Sequence, residues 1–295
     1  DVHLRTLHFP SSQTKASLAN LQMSLATLTS LRRSLYEWAT RDGNQKFLRD
    51  DQEAQLRRVI KDPTRRAQAN VSAWMLGSWH LGNGMLRVLD SDSEGFDEAR
   101  IGQALRRASL LSRASLHTGP RRGSKVQLPF SLLHGAWSSL LGLAMHDPGA
   151  EPLYDFMVAL PDIAFNENDN VAFFTRELLA LRAGRRPNTS SRLGPFGDVI
   201  LNWNGDQRLF GRALEDILDW HLKEVRGNGK SYADPACRIY PVEVIAIRHV
   251  REWLELPMPR VDHPLMHGPL VTTKPSTSWP QHDLVQMFER QTRTS

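Results

Sequence analysis

Glu215 and Asp219 stand four residues apart, with Asp216 and His221 beside them, and that spacing puts the two carboxylates on one face of a helix. Two close carboxylates can divide acid and base roles. The same pattern also marks the solvated side of an amphipathic helix. Asp262-His263 and His267 offer a carboxylate and two imidazoles at metal-ligand-like spacing, but Pro264 between them breaks the helical face that would give the spacing meaning. Gly82-Asn83-Gly84 has the outline of a phosphate-binding turn. It lacks a preceding strand, a third glycine and a following Lys-Ser/Thr, so it reads as a helix break or a point of close helix packing. Gly123-Ser124-Lys125 fails for the same reasons. His80, His134, His146 and His249 sit singly on apolar helices and read as core or rim histidines. Cys237 follows Pro235 in an expected loop, with no histidine nearby in sequence to activate it. No catalytic set, metal set or cofactor fingerprint emerges, and the expectation is a protein without turnover.

The lone cysteine excludes an internal disulfide, so a reducing, cytoplasmic setting is the expectation. With 40% hydrophobic and 23% charged residues over 295 positions, the chain has the means for a self-sufficient core and is not of disordered composition. No stretch reaches the roughly 18–20 apolar residues that span a bilayer. The longest apolar segment, 128–145, is interrupted by Ser131, His134, Ser138 and Ser139. A start at Asp1 rather than Met fits a removed leader or a trimmed beginning.

Charge is segregated along the chain. The net charge is +5, yet Arg100, Arg106, Arg107, Arg113, Arg121, Arg122 and Lys125 fall in a stretch with no acid. Asp147, Glu151, Asp155, Asp162, Glu167 and Asp169 then fall in a stretch, 126–175, with no Lys or Arg. Asp90, Asp92, Glu94, Asp97 and Glu98 precede the basic run. Arginine suits phosphates, so a helical nucleic-acid-binding or regulatory protein using the basic run is the second reading. The run has no aromatic residue for stacking on bases, and the neighbouring acids would repel a duplex, so nucleic acid is not the expected partner. A solvated helix face is the structural alternative for the run.

The elements that must position these residues are helices. Leu18, Leu21, Leu25, Leu28, Leu31, Leu35 and Trp38 recur at three and four, the stripe of a long amphipathic helix. Asp50 with Glu53 suggests a capping box for a helix through Ile60, and Asp62-Pro63 a second start. The helix carrying Val71, Trp74, Met75 and Trp79 is expected to end or bend at 82–84, and another to run over 97–117. A nearly all-apolar helix is expected over 130–146, and others over 151–160, 170–183, 207–226, 242–256 and 283–291. Residues 184–205 read as a long connection with one short strand at 198–203. The six prolines of 256–280 predict an extended segment lying over the helices. The fold class is all-α, a multi-helix bundle or array in one domain, with a Pro-rich extended C-terminal segment.

Tyr240-Pro241-Val242-Glu243-Val244-Ile245-Ala246-Ile247, followed by Leu256-Pro257-Met258-Pro259 and Val261-Asp262-His263-Pro264-Leu265, resembles the C-terminal signature of the immunity protein 49 family. The stretch from Trp137 to Asp147, and Ala172-Phe173-Phe174 with Leu178-Leu179-Ala180-Leu181-Arg182-Ala183-Gly184, is similar to that family's central helix and later glycine-closed helix. The resemblance implies a cognate antitoxin for a secreted bacterial toxin, including toxins delivered by type VI secretion. Such a protein would bind and block the toxin with no catalytic residues or cofactor of its own. For a nuclease toxin with a basic active face, Asp90, Asp92, Glu94 and Asp97 in one loop and Asp162, Glu167 and Asp169 in another are the expected counter-surface. The net positive charge fits an acidic toxin instead, and both acidic loops also suit ordinary helix N-caps.

Overall fold

The computed structural model describes residues 12–115, 128–227, 232 and 234–293, and among them there are helices and no strand. In chain order these are α1 (Ser12–Thr40), α2 (Asp42–Asn44), α3 (Asp51–Val59), α4 (Arg66–Leu89), α5 (Gly95–Ser115), α6 (Leu132–Met145) and α7 (Glu151–Val158). They continue with α8 (Asn170–Arg182), α9 (Gly197–Leu201), α10 (Gln207–Arg226), α11 (Pro235–Ile239), α12 (Val242–Trp253), α13 (Pro269–Thr272) and α14 (Asp283–Arg293). The all-α, multi-helix fold follows from the leucine periodicity and from prolines confined to helix starts and connections.

Local chemistry sets the boundaries. Asp62 accepts the Thr64 amide at 2.9 Å ahead of Pro63, and Asp206 takes the Arg208 amide at 2.7 Å to open α10. α6 ends in a Schellman turn, with the Asp147 amide on the Gly142 carbonyl at 2.8 Å and His146 in the left-handed region at φ 56°.

Three expectations need correction. Asp50 does not cap a helix, because its backbone is already helical inside a π-helical turn, Gln45–Asp50, that joins α2 to α3. The residues 198–203 form no strand, since most of them lie in α9 and its end, with Val199, Ile200 and Trp203 buried. The glycines at 82–84 do not break α4, which runs on to Leu89. Of that helix's two readings, close packing is the one realised. A Cβ on Gly84 would meet the backbone of Gly95 and Ala99 within 3.0 Å, and one on Gly102 would meet that of Leu81 and Gly77. Gly77 and Gly84 on α4 thus face Gly102 and Gly95 on α5, both pairs seven residues apart, and the two antiparallel helices close to backbone contact.

The main core gathers around α6, buried along nearly its whole length, with α8 and α12 against it and α10 packed on α12. It takes residues from both sides of the 184–205 connection, among them Leu178, Phe196 and Leu214. α1 contributes Leu35, with Leu28, Leu31 and Trp38 partly buried, whereas Leu25 is 52% exposed. The side chains of Leu18 and Leu21 lie outside the described residues. A second cluster joins Leu56, Leu76, Leu105 and Phe288, so α14 closes over α3, α4 and α5.

The Pro-rich segment lies extended over the helices apart from short turns at Pro264–Met266 and α13. It is held by a buried arginine, Arg251, which donates to the Pro257 carbonyl at 2.7 Å and to that of Trp203, and stacks on Phe210 at 4.2 Å.

Candidate functional site

The first acidic loop is the turn between α4 and α5, and its charge is largely spent inside the molecule. Arg87 stands at 2.6 Å from Asp92, 3.6 Å from Glu94 and 2.9 Å from Glu98, while Asp90 pairs with Arg32 at 2.6 Å and Asp97 with Arg100 at 3.4 Å. Asp92 also accepts the Glu94 amide at 3.0 Å, a turn-closing bond. Burial would push the Glu98 carboxyl up, but hydrogen bonds from His80, Asn83 and Arg87 outweigh it and hold the group below its ordinary value. Of this loop's acids Glu94 is the most open, its side chain 83% exposed, while that of Asp90 is 51% exposed beside Arg32.

The first three arginines of the basic run point inward, and Arg113 is half-buried. Arg100, Arg106 and Arg107 are 4%, 1% and 3% exposed, so neither a solvated face nor a phosphate-binding strip is built from them. Arg106 pairs with Asp234 and stacks on Trp74 at 4.3 Å, and Arg107 bridges Asp147 and Glu289. Arg121, Arg122, Lys125 and the Gly123-Ser124-Lys125 turn lie outside the described residues.

The α10 cluster divides. Asp216 and Asp219 are exposed, the solvated face, while His221 turns into the core with no exposure at all. There its Nδ1 lies 3.2 Å from Glu243 and its Nε2 2.9 Å from the Arg238 carbonyl, and the Tyr232 hydroxyl donates to the same carboxylate. Burial and then Glu243 push the Tyr232 hydroxyl well above its ordinary value. This knot ties the segment before α11 to α10 and α12, and it is sealed from any substrate. The sequence places Glu243 in the family-like Tyr-Pro-hydrophobic-Glu stretch, and a glutamate flanked by Val242 and Val244 is the one signal that it points inward.

His263 caps its own turn by accepting the Leu265 amide at 3.2 Å and lies 3.4 Å from Asp219, while His267 pairs with Asp262 at 3.2 Å on the surface. The two imidazoles therefore have separate carboxylates. Among the described residues no three His, Cys, Asp or Glu side chains gather closely enough to hold a metal. Cys237 lies in α11, fully buried, and burial raises its thiol well above the ordinary value, which suppresses the thiolate a nucleophile needs. Among the described residues no helix is long and apolar enough to cross a membrane.

The second acidic loop is built differently. Arg176 is sandwiched by Phe165 at 4.7 Å and Phe173 at 4.5 Å, and from there it grips Asp162 at 2.7 Å, Glu177 at 2.6 Å and the Leu160 carbonyl at 3.1 Å. Arg192 and Asn188 bond Asp162 from the other side, at 2.9 Å to its carbonyl and 3.2 Å to its carboxylate. Asp169 accepts the Asn166 amide at 2.8 Å, closing the turn before α8. The loop so anchored lines an open polar recess with residues 188–192. On the same loop Ile163 is 73% exposed, and Glu167 faces solvent. A large aliphatic side chain held in water by a rigid, acid-bearing loop is what an interface anchor looks like before its partner arrives.

No family model, curated protein or solved structure matches this chain. Asp162, Glu167 and Asp169 belong to one anchored loop, and Asp90, Asp92, Glu94 and Asp97 form a largely ion-paired turn elsewhere.

Partly desolvated histidines, of which His263 is buried and His134, His249 and His282 half-buried, give the molecule a pH dependence. Burial is the first cause lowering His134, His146, His249, His263 and His282 below the ordinary value of 6.5. The unfolded chain takes up protons at these positions before the folded one does, so stability is full above 6.5 and falls as the pH drops below it. A melting temperature steady above pH 6.5 and declining below it is expected in a thermal series. A flat curve would contradict the burial of these rings.

Proposed function

We propose that this protein works by binding, as an immunity protein that grips a cognate secreted bacterial toxin and blocks its active face. The observation that carries the reading is the rigid loop at 161–170, which offers an exposed Ile163 beside Asp162 and Glu167. An apolar anchor on a loop that also carries the solvent-facing Glu167, with Asp162 already held by Arg176, suits a partner with a hydrophobic pocket in a basic surface, such as the phosphate-binding face of a nuclease. The sealed state of His221, Glu243, Tyr232 and Cys237 supports the same reading, because those groups cannot meet a substrate. The inward-facing arginines of the basic run favour it over nucleic-acid binding. Resemblance to the immunity protein 49 family supplies the class of partner.

The reading is tested by co-expressing the chain with the toxin-like product of the reading frame beside its gene. Restored growth and a stoichiometric complex on gel filtration are expected. Continued killing, with both proteins folded and eluting apart, would defeat it.

A further inference from the structure

A second recess, unrelated to the acidic edge, lies where α5, the end of α6, the start of α12 and the chain around α13 meet. It measures about 90 Å³, room for roughly three waters or one oxyanion. Its polar lining consists of Arg100, Arg248, His146, His249, Tyr240 and Thr273, with no carboxylate among the residues that line it. Apolar side chains of Phe96, Ile245 and Leu270 complete the wall.

Several of these donors are left without an acceptor. Arg100 is 4% exposed, and although its terminal nitrogens reach the carbonyls of Ser276 at 2.6 Å and Met145 at 3.4 Å, its Nε is buried with no partner. Tyr240 is 3% exposed, and among the described residues nothing hydrogen-bonds its hydroxyl. Arg248 has no ion pair among the described residues. His249 spends Nδ1 on the Leu143 carbonyl at 3.0 Å and stacks on His146 with ring centroids 3.9 Å apart, which leaves its Nε2 free.

The nearest opposing charges do not fill the recess. Asp97 lies 3.4 Å from Arg100 outside the lining, and Glu252 acts on the two imidazoles only at longer range. The negative end of α6 opens beside the recess, but its last carbonyls are already engaged by His249, Arg100 and the turn amides.

We infer that this recess binds a small oxyanion, a phosphate or carboxylate group, between the guanidiniums of Arg100 and Arg248 and the Tyr240 hydroxyl. The Arg100 Nε is a buried donor without an acceptor, which is expensive, and an oxyanion would supply acceptors to it and to the solvent-reached donors of Arg248 and Tyr240 at once. Two arginines and no carboxylate set the sign of the ligand, and the volume limits its charged end to one such group. The inference does not depend on the partner proposed above.

Titration calorimetry on the full chain, with sodium phosphate, sodium acetate and sodium chloride at equal ionic strength, tests it. Phosphate or acetate is expected to bind with one site per chain where chloride gives no heat, and the one that binds more tightly identifies the group. Arg248→Gln, at a half-buried position, is expected to weaken that binding about tenfold or more with an unchanged circular dichroism spectrum. Tyr240→Phe keeps the ring volume and removes only the hydroxyl, and is expected to weaken it in the same direction. Binding indistinguishable from chloride for both anions, or equal affinity in the two folded variants and the original, would overturn the assignment.

Discussion

Valine in place of Gly102 is expected to leave little folded protein at all. The Cβ it adds would sit within 3.0 Å of the backbone of Leu81 and Gly77, and backbone cannot step aside as a flexible side chain can. Overpacking a core commonly costs about 1–3 kcal/mol, and here the clash falls on the closest helix pair in the molecule, so the cost should reach or pass the upper end. A domain with total stability of about 5–15 kcal/mol cannot absorb many such changes. Gly43 provides the control. It also sits in a helix, α2, but nothing lies within 4 Å of a Cβ placed there. Gly43→Ala should stabilise by about 0.5–1 kcal/mol through helix propensity alone. Urea melts of the two variants against the original check both signs. A Gly102→Val protein as stable as the original would show that α4 and α5 are not in backbone contact.

Glu243→Ala is expected to cost about 3–5 kcal/mol, the range seen when one member of a buried charged pair is removed. The carboxylate is 1% exposed and accepts from the Tyr232 hydroxyl and His221 Nδ1, so its loss strands two buried donors at once. His221→Ala should be damaging for the same reason, whereas alanine at exposed Asp219 should lie within about 0.5 kcal/mol of the original. The ordering Glu243 and His221 far above Asp219, read from thermal melts, distinguishes a structural knot from a surface cluster. Equal and small losses at all three would mean that the knot does not form.

These contrasts show what the sequence carried and where it stopped. Helix positions were legible because they rest on local rules: apolar spacing of three and four, Asp62-Pro63 at a helix start, and prolines at turns. The bounds of α10, Gln207–Arg226, could be read to the residue because its apolar and polar faces are cleanly divided. α9 reads as a strand because a five-residue segment with three apolar residues, Val199, Ile200 and Leu201, lacks the length to show a period. The charge pattern misled for another reason. Arg100, Arg106 and Arg107 look like a solvated strip in one dimension, and their partners Asp147, Asp234 and Glu289 lie far along the chain. Long-range pairing leaves no local mark. The α4–α5 acids suffered the converse error, since Arg87 and Arg32 consume charge that the sequence displays as free. Asp162, Glu167 and Asp169 were legible as a candidate surface, but the anchoring by Arg176 and the exposure of Ile163 belong to the fold alone.

The central claim, that the 161–170 edge is a binding surface for a toxin, is tested most directly by association kinetics. The partner is immobilised, and the original chain is compared with Glu167→Lys, Ile163→Asp and, as a control, Asp92→Asn. Reversing the exposed Glu167 should slow association, and increasingly so as salt is lowered, because long-range charge acts mainly on the encounter rate. Ile163→Asp should speed dissociation about thirtyfold or more, the mark of a lost anchor at the centre of an interface. Asp92→Asn should bind like the original, because Asp92 is committed to Arg87 within its own turn. Loss of binding in Asp92→Asn, with Glu167→Lys and Ile163→Asp unaffected and all three folded, would move the interface to the α4–α5 turn and contradict the account.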